Sequence, residues 1–418
     1  MSRESTMSRD IGERVRLLRV ASGRSQTALS ESLGLKGNTI VSKVETGRMP
    51  VDRELAASFA SALDCSVEFL MRPYEPGLAT KPWLRAYADA SAKVVEQVLG
   101  DNLLAHEFMS WSRMQWVPDT LPLYDGDPND EDAIESFAGH VRSVADIPEG
   151  DVVRNAVRAT ERLGCSVLPL DSELGRHLGL SQRVNGRPFI RLSRAWNTDH
   201  SHHVPGDRQR FTVSHELGHL ALHAEVPPPM TPEEAKRLEK QAHRFAAAFL
   251  APAGPLLEDW ASLGGRVTLS VLQQLKARWG VAIKMLVVRF RQLGIIDEDH
   301  SRSLYRQISA RGWNTAEPVE VSNETPIWLD KALEKAFPRA TRDQTLSAAA
   351  EHYGVAASHL VRWTLWEVPP EVPTIIPRAT TKACEPHSEV NSGQLIQMRP
   401  RGHRQQVTRP STAQEPKA

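Results

Sequence analysis

Apolar residues recur every three to four positions along most of the chain, which predicts a mainly α-helical protein with a small β component. Ile11, Val15 and Leu18 mark a first helix. Gln26–Leu33 gives a second, stopped by Gly34, and Asn38–Glu45 a third, stopped by Gly47 and Pro50. Ala56, Phe59, Ala60 and Leu63 mark a fourth, so residues 8–75 read as an all-α domain. Pro73, Pro76, Gly77 and Pro82 punctuate its exit, and residues 76–149 read as a linker followed by a noisy helical stretch with an acidic loop at Asp125–Asp132. Residues 150–298 predict an α+β domain. It holds a helix over Asp151–Leu163, strand-like runs at Cys165–Leu170 and Arg187–Ser193, and helices at Phe211–His223 and Glu233–Leu250 around a Pro-rich turn. Leu269, Leu272, Leu275, Val281, Leu286 and Val287 complete that domain. A helical C-terminal region covers 299–375, including Ser347–Trp363, and residues 376–418 lose the periodicity and predict a disordered tail. No internal repeat is visible.

The chain has 418 residues, 40% of them apolar and 24% charged, as in a globular protein of several domains. Its 51 basic and 51 acidic side chains balance, which excludes a uniformly basic nucleic-acid coat but not a single DNA-binding module. Cys65, Cys165 and Cys384 are odd in number and far apart, so no disulfide framework is readable, as suits a reducing compartment. The polar start has no secretory pattern. The richest apolar stretch, Phe245–Leu257, is interrupted by prolines and too short for a bilayer. A cytoplasmic protein without a membrane partner is expected.

A helix, a Gly-containing turn and a second short helix form the DNA-binding helix-turn-helix, whose second helix enters the major groove. Here Gln26–Leu33, Gly34-Leu35 and Asn38–Glu45 supply those parts. Lys36, Asn38, Thr39, Ser42 and Lys43 are the polar side chains positioned to meet base edges or phosphates. The stretch SQTALSESLGLKGNTIVSKVETGRMP resembles the Cro/C1-type (xenobiotic-response-element-like) helix-turn-helix, with one extra residue between Gly34 and Ser42. The resemblance implies double-stranded operator DNA as partner and adds Gln26, from its Ser-Gln opening, to the contact set. Because one small reader covers a half-site, a homodimer is expected. With 11 Lys/Arg against 10 Asp/Glu in residues 1–76, phosphate affinity per chain is modest.

Residues 215–219 read HELGH. Positions i and i+4 of a helix share a face, so His215 and His219 point imidazoles at one centre while Glu216 sits ~100° round the helix. Neutral imidazoles hold Zn²⁺, an open position takes water, and the carboxylate accepts the proton of that water. A third protein ligand is required. Glu239, on the next helix, is favoured over His223, which would need the first helix to wrap the metal. The His200, His202, His203 cluster reads as a solvated loop.

RQRFTVSHELGHLALH with EKQAHRFAAAFLAP resembles the ImmA/IrrE family of zinc-dependent metallopeptidases over residues 150–296. The resemblance implies a zincin-like, gluzincin-type endopeptidase with Zn²⁺ on His215, His219 and Glu239, Glu216 as catalytic base, and a repressor protein as substrate. His243 stands where the family usually has Asn, as a neighbour supporting a ligand, a substitute ligand or a hindrance to the metal. RGWNTAEPVEVSNETP resembles segments that follow the peptidase unit in members fused to a helix-turn-helix, with Trp313 and Trp328 read as core. Three readings stay open: a regulator with a hydrolytic peptidase, one whose zincin-like domain only senses, and an antitoxin or phage-immunity regulator. The intact Glu216 favours hydrolysis, since a structural zinc has no use for a water-activating carboxylate.

Overall fold

The computed structural model describes residues 3–75, 77–80, 91–170, 178–193, 204–227 and 229–366. The expected linker positions Pro76 and Pro82, the His200, His202, His203 loop, Cys384 and the expected tail lie outside them.

The N-terminal block is α1 (Arg3–Ala21), α2 (Gln26–Ser32), α3 (Thr39–Glu45), α4 (Arg53–Ala62) and α5 (Val67–Met71). Hydroxyl or carboxylate caps start three of them: Ser25 accepts from the Ala28 amide, Asp52 from Leu55 and Ser66 from Phe69. Ile11, Val15, Leu18, Leu29, Val41, Val44 and Phe59 fill the centre. At Gly12, α1 lies so close to α3 that a Cβ would stand 2.1 Å from the Val44 carbonyl oxygen, so only glycine fits.

Next come α6 (Ala92–Trp111), packed on α1, then α7 (Glu131–Val144) and α8 (Ala156–Arg162). The helix expected over Asp151–Leu163 starts only at Ala156. Asn155 caps it, and the carbonyls of Asp151 and Val153 are taken by Arg142 and Arg210 instead of by a helical turn. Three strands follow: β1 (Ser166–Leu170), β2 (Gly179–Val184) and β3 (Arg187–Ser193), in the order β1-β3-β2. β3 runs parallel to β1 and antiparallel to β2, joined to β2 through Asn185-Gly186, both with positive φ, as a two-residue hairpin turn requires.

Helices complete the described chain: α9 (Gly206–Leu222), α10 (Pro232–Leu250), α11 (Ala253–Ser262), α12 (Leu269–Trp279), α13 (Ile283–Gln292), α14 (Glu298–Ala310), α15 (Trp328–Ala336), α16 (Arg342–Tyr353) and α17 (Ala357–Val361). The helix expected through Ser347–Trp363 breaks at Gly354, whose φ of +87° ends α16. The chain is thus mainly α with a small β component. The sheet divides two cores. Val167, Ile190 and Leu192 face a core shared with α7–α14, while Leu168, Val184 and Phe189 face one shared with α1–α6 and α15–α17. All of this belongs to one compact unit, 1–370. Trp313 packs half-buried on the first core, and Trp328 stacks on Trp116 (5.3 Å, 18°) beside the second.

Candidate metal centre and nucleic-acid face

Helix α9 carries His215, Glu216 and His219, and α10 packs antiparallel beside it with Glu239, Gln241 and His243. Close packing follows from Gly218: an added Cβ would meet the Phe245 ring at 3.0 Å and Ala242 backbone at 3.3 Å. A full capping box, Thr231 with Glu234, fixes where α10 starts and therefore where Glu239 falls.

The imidazole Nε2 atoms of His215 and His219 lie 3.1 Å apart, and the Glu239 carboxylate stands 3.5 Å from each. A tetrahedral zinc with ligands at about 2.0–2.1 Å would separate its donors by roughly 3.3 Å, close to the spacing of the two imidazole nitrogens from each other and from the carboxylate, which turns Oε2 to His215 and Oε1 to His219. Burial drives the His215 pKa well below the usual histidine value and that of His219 down to about 3, so both rings are neutral donors. His243 sits against the same cluster, its ring centroid 4.5 Å from that of His215. Ligand atoms of His215, Glu239 and His243 fall within 4.8 Å of one another. The His243 Nδ1 bonds the Glu239 carbonyl at 2.6 Å, and a carbonyl only accepts, so Nδ1 carries the proton and Nε2 is the donor left.

His223 serves His219. The Gln241 Oε1 lies 3.0 Å from His223 Nε2, and His223 Nδ1 lies 3.0 Å from His219 Nδ1. With the amide oxygen accepting from Nε2, His223 Nδ1 is an acceptor and His219 Nδ1 the donor. That leaves the lone pair of His219 on Nε2, facing His215 and Glu239.

Glu216 is buried, and burial pushes its carboxyl up to about 8 despite the hydrogen bond it accepts from Ser181 Oγ at 2.6 Å. Ser181 comes from β2, a strand the sequence reading missed. The Asn-Gly turn ahead of the RPFIRLS run was the signal for it. Gly179 lets β2 lie on α9, since a Cβ there would stand 2.9 Å from Glu216 Cγ. On the outer edge of β2, pairing among the described residues is confined to its far end. The Thr80 amide bonds the Arg183 carbonyl at 2.9 Å and the Asn185 amide the Leu78 carbonyl at 2.7 Å.

Two further glutamates, both in the RGWNTAEPVEVSNETP stretch, brace α9 from the segment after α14. Glu324 pairs with buried Arg210, accepts from the Val157 amide, and exchanges backbone bonds with the Gln209 carboxamide. Glu317 joins Asp207 around Lys276 and accepts from the amides that open α13. Gly206 meets this strap so closely that a Cβ would be 2.3 Å from the Val321 carbonyl oxygen.

In the helix-turn-helix, Lys36, Asn38, Thr39 and Lys43 are exposed along the turn and α3, and Ser42 is half-buried. Gln26 turns inward, its Nε2 donating to Glu45 Oε2 at 2.7 Å. Glu45 also takes Arg19, so Gln26 spends its amide on orienting α3.

Comparison with protein families gives two matches. Residues 10–69 match a helix-turn-helix domain, and residues 160–291 match the IrrE N-terminal-like domain of a peptidase family. Neither curated proteins nor solved structures yield a match. Among the described residues no helix is long and apolar enough to cross a membrane.

Proposed function

The chain joins a helix-turn-helix domain to an IrrE N-terminal-like domain of the ImmA/IrrE type, and from that premise we propose that it is a cytoplasmic, DNA-binding transcriptional regulator whose second domain is a zinc-dependent endopeptidase acting on a repressor protein. The observation that carries the peptidase reading is the convergence of His215, His219 and Glu239 at near-tetrahedral spacing, with buried Glu216 alongside.

His215, His219 and Glu239 are the residues that would hold zinc, which as a Lewis acid acidifies water and polarises a peptide carbonyl. Glu216 takes the proton of the attacking water and delivers it to the amide nitrogen that leaves. Ser181 holds that carboxylate in place. The substrate is an extended peptide added as a strand to β2, whose Gly179–Gln182 end lies nearest Glu216. The chain's own Leu78–Thr80 already pairs with the other end of that edge, which favours its connector as a second substrate beside a partner repressor. On DNA, Lys36, Asn38, Thr39, Ser42 and Lys43 make the contacts, with Gln26 orienting the helix.

Zinc content by mass spectrometry tests the centre. One zinc per chain is expected in the wild type and in Glu216→Gln, and none in His215→Ala or Glu239→Ala. Zinc kept in Glu239→Ala would move the third ligand to His243. A wild type without zinc after reconstitution would overturn the peptidase reading. A regulator that only senses zinc differs in one respect: Glu216→Gln would leave its control of transcription intact.

A further inference from the structure

The last two described helices repeat, in order and form, the end of the helix-turn-helix domain. Helices α4 and α5 are medium and very short and pack on each other, and the same holds for α16 and α17. Within two residues of its end, each medium helix is followed by a residue with positive φ, Asp64 at +54° and Gly354 at +87°. Each then makes two extended residues, Cys65-Ser66 or Val355-Ala356, before the next helix begins. At this spacing, 65 with 355, three positions hold the same residue: Ala60 and Ala350, Leu70 and Leu360, Arg72 and Arg362. The other partners differ, as Phe59 and Ala349 do, and for that reason no repeat shows in the sequence.

The two copies also pack on each other about a local two-fold axis. Cys65 and Val355 form an antiparallel bridge. The Ser66 amide donates to the Gly354 carbonyl at 2.8 Å, and the Ala356 amide donates to the Asp64 carbonyl at 2.8 Å. Exchanging the copies turns one bond into the other. The next layer obeys the same exchange: Phe69 of α5 meets the Tyr353 ring edge-on at 5.1 Å, and His359 of α17 donates through Nε2 to the Leu63 carbonyl at 3.0 Å. Leu63, Phe69, Leu70, Tyr353 and Leu360 are all buried there. A contact in which i meets j and j meets i is the self-complementary kind that two identical subunits make.

We propose that the α16–α17 hairpin is a built-in second copy that occupies, in cis, the face of the helix-turn-helix domain through which two α4–α5 hairpins would otherwise pair, so that this protein stays a single chain. Sequence alone points to a homodimer, because one reader covers a half-site. The structure supplies the second hairpin from the same polypeptide. Combined with the DNA-binding reading above, on which this one clause rests, the protein approaches DNA with one recognition helix per particle.

Light scattering on the full-length protein, without DNA, separates the proposal from that reading. The wild type is expected at the mass of one chain over a wide concentration range, and a dimer would overturn the proposal. Gly354→Val strains a φ of +87° and drives a Cβ to 2.6 Å from Ser66 Oγ, so it displaces the hairpin. Its mass is expected to rise twofold with concentration as freed α4–α5 faces pair. A folded Gly354→Val protein that exposes the Ser66 amide to hydrogen exchange yet stays a single chain would show that the face has no pairing capacity, which also overturns the proposal. Should that variant fail to fold, Val355→Cys in a Cys384→Ser background serves instead, because 65 and 355 are bridge partners at disulfide distance. Oxidation is expected to give an internally linked single chain. A disulfide-linked dimer would mean that the hairpin docks on a second copy.

Discussion

His219 shows how much of a candidate metal centre is decided one hydrogen bond away from it. Its Nε2 presents a lone pair only because Nδ1 carries the proton, and that depends on His223 accepting and Gln241 offering its oxygen. Gln241→Leu removes the oxygen that fixes the His223 tautomer, and with it the acceptor that keeps the proton of His219 on Nδ1. Zinc affinity, measured by competition with a chromogenic chelator, is expected to fall about 10–100-fold while one zinc per chain still binds at saturation. Unchanged affinity would mean that His219 needs no help. HELGH is legible in a single sequence because one helix turn sets the geometry of His215, Glu216 and His219. Gln241 and Ser181 are not legible, since each reaches the centre through packing between elements distant in sequence.

Helix α9 is held at its start by charges that no local pattern announces. Arg210 and Glu324 are 114 positions apart, nearly fully buried, and paired. Glu324→Ala would leave the guanidinium buried without its counter-charge, and a loss of about 3–5 kcal/mol is expected in chemical denaturation. A loss under about 1 kcal/mol would demote the strap to a passive loop. Both residues lie in stretches that stand out in the sequence, RQRFTVSHELGHLALH and RGWNTAEPVEVSNETP, but their pairing across 114 positions is legible in neither. Among the elements, α5 and β2 escaped prediction for different reasons: α5 spans only five residues, and β2 alternates poorly although the Asn-Gly turn beside it was a clear signal.

The docking of α17 carries its own pH dependence. Burial holds the His359 pKa down to about 4, and the Arg362 guanidinium, which donates to Nδ1 at 3.3 Å, adds to that, against the Leu63 carbonyl, Asp101 and Asp64. In the unfolded chain the ring titrates near 6.5, so between 6.5 and 4 the unfolded state binds more protons. This contribution is therefore complete above pH 6.5 and is lost as pH falls towards 4, by at most on the order of 3 kcal/mol. His359→Gln keeps a donor for Leu63 and cannot titrate. Its denaturation midpoint is expected to fall less than that of the wild type over this pH range, and parallel profiles would exclude His359 as a source.

At the scale of the molecule, the reader and the zincin-like domain are not beads on a string. The sheet gives one face to each core, α6 packs on α1, and buried Arg14 of α1 ties the end of α5 to Glu107 of α6 through the Arg72 and Pro73 carbonyls. Sequence periodicity gave two domains and an expected linker because it registers faces of helices and not what covers them. Phe189 reads as a strand residue of the second domain and Val184 falls between its two strand-like runs, yet both belong with Leu63 and Leu346 to the other core. Two bodies sharing a sheet unfold together. Heating is therefore expected to give one transition for the helix-turn-helix and the metal centre, with zinc raising its midpoint according to RT ln(1 + [Zn]/Kd). Differential scanning calorimetry with and without zinc checks this. A separate early transition that zinc leaves in place would mean that the helix-turn-helix domain folds independently of the sheet.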